Sequence, residues 1–115
     1  MRPIRITYDP EGDILYITFG HPTEATGYQL SDQILLRVNS QTQQVTGLTI
    51  RNFSVHTHTA REIPLPEIDE DPAVKPLLLQ LLNSPPVSHF LHVIQGAQGI
   101  SARLLHPSLE EALVG

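Results

Sequence analysis

The chain has 115 residues, of which 40% are apolar, and it has no cysteine, so disulfide bonds and thiolate metal sites are excluded. Its formal net charge is −5, from 7 Lys and Arg against 12 Asp and Glu, so no nucleic-acid partner is expected unless the few cations gather on one face. The first residues lack the apolar stretch of a signal peptide and no later segment is apolar enough to span a bilayer, so we expect one cytoplasmic domain over residues 1–115 without a membrane partner.

Four β-strands are predicted in the first half of the chain. Ile4, Ile6 and Tyr8 alternate with polar residues, which is the period of a half-buried strand. The four predicted strands cover residues 4–8, 13–19, 33–38 and 45–53. Short polar turns separate the first two strands and the last two, so residues 1–54 are expected to form an antiparallel meander. Gly47, inside the fourth strand, predicts a bulge or a close approach of another backbone.

The second half, residues 55–115, is expected to add a helix and a hairpin. Residues 54–71 show no clear period and are expected to form an irregular segment. Five apolar residues then fall on one helical stripe: Val74, Leu77, Leu78, Leu81 and Leu82. Residues 87–95 and 100–106 predict a hairpin, and the spacing of Ser108 and Glu111 predicts a short terminal helix. The predicted fold is therefore α+β: a four-stranded antiparallel β-meander covered by one amphipathic helix, plus a C-terminal β-hairpin and short helix.

The turn between the first two strands carries a recognisable motif. Tyr8-Asp9-Pro10-Glu11-Gly12-Asp13-Ile14-Leu15-Tyr16-Ile17 resembles the signature of a bacterial family known as domain of unknown function 2283. Residues 34–38 and 45–50 are similar to that family's third and fourth strands, so the resemblance covers about residues 4–54. It implies an antitoxin-like binding role, because some members of the family are thought to be encoded beside small toxin-like proteins.

Three arginines are expected to share one face of the meander. Arg5, Arg37 and Arg51 each stand one position away from apolar residues that would form the core, and Tyr16 is placed in the same way on the second strand. Arginine and tyrosine often anchor protein interfaces. The same residues also suit an ordinary solvated sheet face, and a nucleic-acid face is the third alternative. A bulge at Gly47 would turn Arg51 to the opposite side.

Metal binding is the alternative hypothesis, and it depends on carboxylates or histidines. Asp9, Glu11 and Asp13 start like a calcium loop, but the sixth and twelfth positions of such a loop fall on Ile14 and Gly20 instead of glycine and glutamate. A capped turn is the simpler interpretation. His56 and His58 would point the same way on a strand, and a third ligand would have to come from elsewhere: His21, His89, His92 or His106.

The sequence favours a non-catalytic binding protein. It contains no Gly-x-Ser-x-Gly elbow and no phosphate-binding loop, so neither an enzyme nor a cofactor is expected. The expected partner is another protein, bound through Arg5, Tyr16, Arg37 and Arg51, or a second copy of the chain, because a meander leaves two edge strands. The alternative is a metal-binding protein or metal-dependent enzyme that uses His56, His58 and one more histidine.

Overall fold

The computed structural model describes residues 3–20, 24–59 and 62–105. The chain divides into two compact units, Met1–Phe53 and Ser54–Gly115, next to the boundary expected between residues 54 and 55. Both units contain antiparallel sheet and the helices are few and short, so the predicted α+β class is confirmed. That the two halves form one domain stays a prediction.

The first unit contains a five-stranded antiparallel sheet. Its strands are β1 (Ile4–Asp9), β2 (Ile14–Phe19), β3 (Thr26–Gln29), β4 (Ile34–Val38) and β5 (Val45–Arg51). Their order across the sheet is β1-β2-β5-β4-β3. The prediction of a four-stranded meander is therefore wrong in two respects: β3 was not anticipated, and β5 lies between β2 and β4 as in a Greek key.

One face of this sheet is buried along every strand except the two at the edges. The buried residues on β2, β4 and β5 are Leu15, Ile17, Phe19, Ile34, Leu36, Val38, Val45, Leu48 and Ile50. They alternate with exposed or half-buried residues along β2 and β4, which is the pattern of a sheet with one apolar face. The alternation predicted from the sequence therefore assigns the buried side of these strands correctly.

The unanticipated strand β3 is joined to β4 by a tight turn built on Ser31. The Ser31 hydroxyl oxygen accepts hydrogen bonds from the backbone N–H groups of Gln33 and Ile34, at 3.0 and 3.2 Å. The Leu30 N–H donates to the Ile34 carbonyl oxygen at 2.9 Å, and Leu30 is fully buried. These bonds close the hairpin, so a strand of only four residues is held at the edge of the sheet.

The second unit contains a three-stranded sheet with short helical segments. Its elements are α1 (Phe53–Thr59, which starts at the last residue of the first unit), β6 (Ile63–Pro64), a 3₁₀ helix (Pro66–Glu70), α2 (Lys75–Leu82), a 3₁₀ helix (Val87–His89), β7 (Leu91–Gly96) and β8 (Gly99–Leu104). The strand order is β6-β8-β7, so the predicted C-terminal hairpin is confirmed as β7 and β8. The hairpin begins at Leu91 because residues 87–89 form helix instead of strand. The described residues between 54 and 71 include most of α1, β6 and a 3₁₀ helix, so they are more regular than expected. The predicted terminal helix around residues 108–111 lies outside the described residues.

The predicted amphipathic helix is α2, and two of its leucines are buried. Leu78 is 4% exposed and Leu82 is 0% exposed, whereas Leu77 and Leu81 are half-buried. Within its unit, α2 contacts β7 and both 3₁₀ helices. That this helix covers the first sheet stays a prediction. Among the described helices, none has the length and apolar character needed to cross a membrane.

Candidate functional site

The four residues predicted for a binding face lie on one side of the first sheet, which we call the outer face. Residues directly opposite each other on neighbouring strands point to the same side of a sheet. One row of outer-face residues crosses four strands and consists of Arg5, Thr18, Gly47 and Arg37. The next row consists of Thr7, Tyr16, Thr49 and Leu35. Arg51 follows Thr49 on the same side of β5, opposite Ile14.

The outer face is accessible at each of these four positions. Arg5, Arg37 and Arg51 are exposed, and Tyr16 is 41% exposed although Leu15 and Ile17 on either side of it are buried. The register therefore brings three guanidinium groups and one phenol ring to the same solvent-facing side.

A bulge in β5 lies where it leaves this arrangement intact. Arg37 is opposite Gly47, but the next residue, Val38, is opposite Val45, so Thr46 is the extra residue of a β-bulge. The Thr46 hydroxyl donates a hydrogen bond to the Arg37 carbonyl oxygen at 3.4 Å. Because the bulge precedes Gly47, the alternation from Gly47 to Arg51 is unbroken and Arg51 stays on the outer face.

A groove of about 680 Å³ opens on the outer face around Arg37. Two glycines make room for it: Gly47 and Gly27 are the cross-strand neighbours of Arg37 on either side. A Cβ atom placed on Gly47 would lie 3.6 Å from Cδ of Arg37, so the aliphatic part of the arginine side chain lies over this glycine. Tyr16 and Leu35 contribute aromatic and apolar walls, and threonines supply hydroxyl groups.

The three arginines of the outer face have no ionic partner in the described part of the chain. The ion pairs found there join Lys75 to Asp69 and Arg103 to Glu62, all in the second unit. From standard strand spacings, the Cα atoms of Arg5, Arg37 and Arg51 are about 14–16 Å apart. A single carboxylate or phosphate group is too small to contact all three, so the spacing suits an extended partner.

The motif at residues 8–13 has a structural role in this fold. The Tyr8 hydroxyl donates a hydrogen bond of 2.7 Å to Asp13, and its ring packs against Phe53 with 5.8 Å between ring centroids. The hydrogen bond to Asp13 and the negative charge nearby raise the pKa of Tyr8 above its ordinary value. The Phe53 N–H donates to the Asp13 carbonyl oxygen at 3.0 Å, and Asp13 has a left-handed φ of 55°.

The carboxylates of this turn that resemble the start of a calcium loop accept hydrogen bonds within the turn. Asp9 accepts a hydrogen bond from the Glu11 N–H at 3.1 Å, which is the capped turn expected from the sequence. Asp13 is engaged with Tyr8 instead. Within residues 3–20, 24–59 and 62–105, no group of three or more His, Asp or Glu side chains is arranged to hold a metal ion.

The two histidines considered as the start of a metal site lie on a helix, within a segment that was expected to be irregular. His56 and His58 are both in α1, where backbone positions two apart along the chain are rotated by about 200° around the helix axis. Of the histidines considered for a third ligand, His89 and His92 are in the second unit, and His21 and His106 lie outside the described residues.

The groove residues Gly27 and Leu35 were not anticipated from the sequence. Gly27 lies on β3, the strand that the sequence analysis missed, and the glycine itself weakens the strand pattern there. Leu35 is apolar but faces outward, so a rule that assigns apolar residues to the core places it wrongly. The sequence feature that did indicate this place was Gly47, because a glycine inside a strand is typical of a bulge or of the close approach of another backbone.

Comparison with protein families gives a match for the first half of the chain. No curated protein and no solved structure matches the chain. Residues 5–54, which contain β2 to β5, all of β1 but its first residue and the Tyr8–Asp13 turn, match the family described as "Protein of unknown function (DUF2283)". The match covers less than half of the chain and carries no assigned activity. The resemblance predicted from the tyrosine–aspartate motif is thus confirmed: the first unit of this chain is similar to the DUF2283 family of proteins of unknown function.

Proposed function

We propose that this chain is a non-catalytic protein-binding module whose outer face binds an acidic surface of another protein. The observation that carries the proposal is the set of three exposed arginines on one sheet face without ionic partners in the described part of a chain whose net charge is −5. Unpaired guanidinium groups on an accessible surface are complementary to carboxylates, with which arginine forms bidentate hydrogen bonds.

Arg37 is the centre of the proposed interface. It stands inside the groove with its aliphatic chain over Gly47, so its position is restricted before a partner arrives. A pre-organised side chain loses less conformational entropy on binding than a free one. Tyr16 and Leu35 offer apolar contact area beside the charge, which is the composition typical of interface hot spots. Arg5 and Arg51 stand farther out and would steer association.

Protein is favoured over nucleic acid because the cations are few and widely spaced. Affinity for nucleic acid comes mainly from neutralising many phosphates, whereas three arginines about 14–16 Å apart neutralise few. A protein partner needs only a few well-placed carboxylates and an apolar side chain for the groove. The antitoxin-like role implied by the family resemblance belongs to the same class of function, and it stays a prediction.

The test compares two variants that reverse the same charge at different places. Proteins captured from the source cell by the wild-type chain would be identified, purified and titrated against it by calorimetry. Arg37→Glu should weaken binding at least tenfold, because the groove would then hold a charge that repels the acidic partner. Arg103→Glu, in the second unit, should change the affinity less than twofold.

Stability and salt dependence separate binding from folding. Arg37→Glu should change the free energy of unfolding by less than about 0.5 kcal/mol, as expected for an exposed residue. Binding should weaken as salt concentration rises, because charges at the rim of an interface are screened. A purified partner that binds Arg37→Glu as tightly as the wild-type chain would contradict the proposal.

A further inference from the structure

The edge strand β1 offers backbone groups for pairing with another strand. The Gly20 N–H donates to the Pro3 carbonyl oxygen at 2.7 Å, so the odd-numbered residues of β1 direct their backbone groups toward β2. The N–H and C=O groups of Ile4, Ile6 and Tyr8 therefore point away from the sheet. In the described part of the chain, no backbone hydrogen bond occupies them.

The side chains of β1 form a sequence that is complementary to itself when two copies run antiparallel. From Arg5 to Asp9 the residues are Arg, Ile, Thr, Tyr and Asp. In the register centred on Thr7, Arg5 of one copy faces Asp9 of the other, and Ile6 faces Tyr8. Opposite charges, threonine pairs and aromatic–β-branched pairs are the cross-strand combinations that stabilise antiparallel strands.

We propose that two copies of the chain dimerise by pairing their β1 strands antiparallel, centred on Thr7, so that two sheets join at their edges. The free backbone groups agree with this register, because Ile6 and Tyr8 both direct their N–H and C=O groups outward and would exchange hydrogen bonds. Both members of each cross-strand pair also lie on the same face of the sheet. Arg5 and Asp9 lie on the outer face, whereas Ile6 and Tyr8 lie on the other.

The neighbouring register is less complementary. Centring the pair on Ile6 would set Arg5 against Thr7 and leave the opposite charges without a direct partner. The opposite edge of the sheet is also less suitable, because β3 has four residues where β1 has six, and it contains Gly27. The symmetric pairing at β1 is isologous, so it closes as a dimer and does not propagate.

The exposure of β1 agrees with an edge that is covered in a dimer. Ile4 is 48% exposed, although it is a large apolar residue at the start of a strand. In the proposed register it faces Pro10 of the other copy, which would remove apolar surface from water. Natural proteins usually protect a free edge by a charge or by pairing it. Here the charges at each end of the strand are complementary, so they favour pairing instead of preventing it.

The experiment measures mass by sedimentation at tens to hundreds of micromolar full-length protein. The wild-type chain should be a dimer. Arg5→Glu places two like charges opposite each other twice per dimer and should weaken the dimer about ten- to hundredfold. Arg5→Glu combined with Asp9→Lys exchanges the two charges and should restore most of the affinity.

The control is Arg37→Glu, which changes the same charge on the same face but three strands away, and it should remain a dimer. A wild-type chain that is monomeric at these concentrations would overturn the proposal, and so would an Arg5→Glu dimer whose dissociation constant equals that of the wild-type chain. The result can be told apart from that of the proposed function, because sedimentation is measured on the chain alone, without the partner whose binding depends on Arg37.

Discussion

Replacing Gly47 with alanine should leave the first sheet folded and raise the free energy of unfolding by about 0.5–1 kcal/mol. The added Cβ atom would lie 3.4 Å from the Ile17 carbonyl oxygen and 3.6 Å from Cδ of Arg37. Both are ordinary van der Waals distances, and Gly47 does not have a left-handed φ. The gain therefore comes from restricting the unfolded chain, with no opposing clash in the folded one.

Valine at the same position should disturb the groove, whereas alanine should leave it unchanged. Its two additional carbon atoms extend about 1.5 Å beyond Cβ, toward the Arg37 side chain that lies over the glycine. Arg37 would have to move, so Gly47→Val should be less stable than Gly47→Ala and should weaken binding of the proposed partner. Urea unfolding gives the free energies, provided that the slope of the transition is unchanged.

A second glycine separates the effect of space from that of backbone conformation. Gly99 has nothing within 4 Å of its Cβ position, but its φ is +120°, a conformation that other residues rarely adopt. Gly99→Ala should therefore destabilise by more than about 1 kcal/mol although there is room for the methyl group. If Gly47→Ala lost more than 1 kcal/mol instead, the backbone around the groove would differ from the one described.

Two further predictions concern α2 and the Tyr8 motif. Leu82→Ala and Leu78→Ala should each lower the free energy of unfolding by about 2–5 kcal/mol, because both side chains are buried. Leu81→Ala should lower it less, because that side chain is half-buried. Equal losses in urea unfolding at the three positions would contradict the packing of α2. The raised pKa of Tyr8 means that its hydrogen bond to Asp13 stabilises the fold below the ordinary tyrosine pKa of about 10, and that this stabilisation is lost as pH rises through the raised value. Unfolding experiments at increasing alkaline pH should show a steeper loss for the wild-type chain than for Tyr8→Phe; parallel pH profiles would show that the bond contributes nothing.

Alternation along single strands was the most dependable information in the sequence. The period of two assigned Arg5, Tyr16, Arg37 and Arg51 to one side, and the register places them there. The inference works because a one-residue slip would move the apolar residues of a strand to the outer face and its polar residues, including the arginines of β4 and β5, to the buried face, which costs far more than any local preference. The position of the bulge decided the outcome for Arg51: Gly47 indicated a bulge in this strand, but the sequence did not show on which side of the glycine the extra residue would lie.

The order of the strands in the sheet could not be predicted from this alternation. Short turns suggest that neighbours in sequence pair in space, but β2 pairs with β5, which follows three strands later. Nothing in the composition of β2 indicates this choice, because each central strand presents a similar apolar face. The sequence did not predict β3 for a different reason. Only Tyr28 among its four residues is large and faces inward, so the strand shows almost no alternation of apolar and polar residues.

The position of β5 has a consequence for how the first sheet assembles. The hairpins β1–β2 and β3–β4 each form from residues close in sequence, but in the sheet they touch only through β5. Pairing of Leu15 with Ile50 requires a long loop to close, which is slow compared with hairpin formation. During synthesis, a nascent chain that ends before Val45 holds two unconnected ribbons with exposed apolar faces. Of the five strands of the first sheet, β5 is the last to leave the ribosome, and it is the strand that joins the two hairpins. Until β5 is made, the apolar faces of both hairpins are open to aggregation.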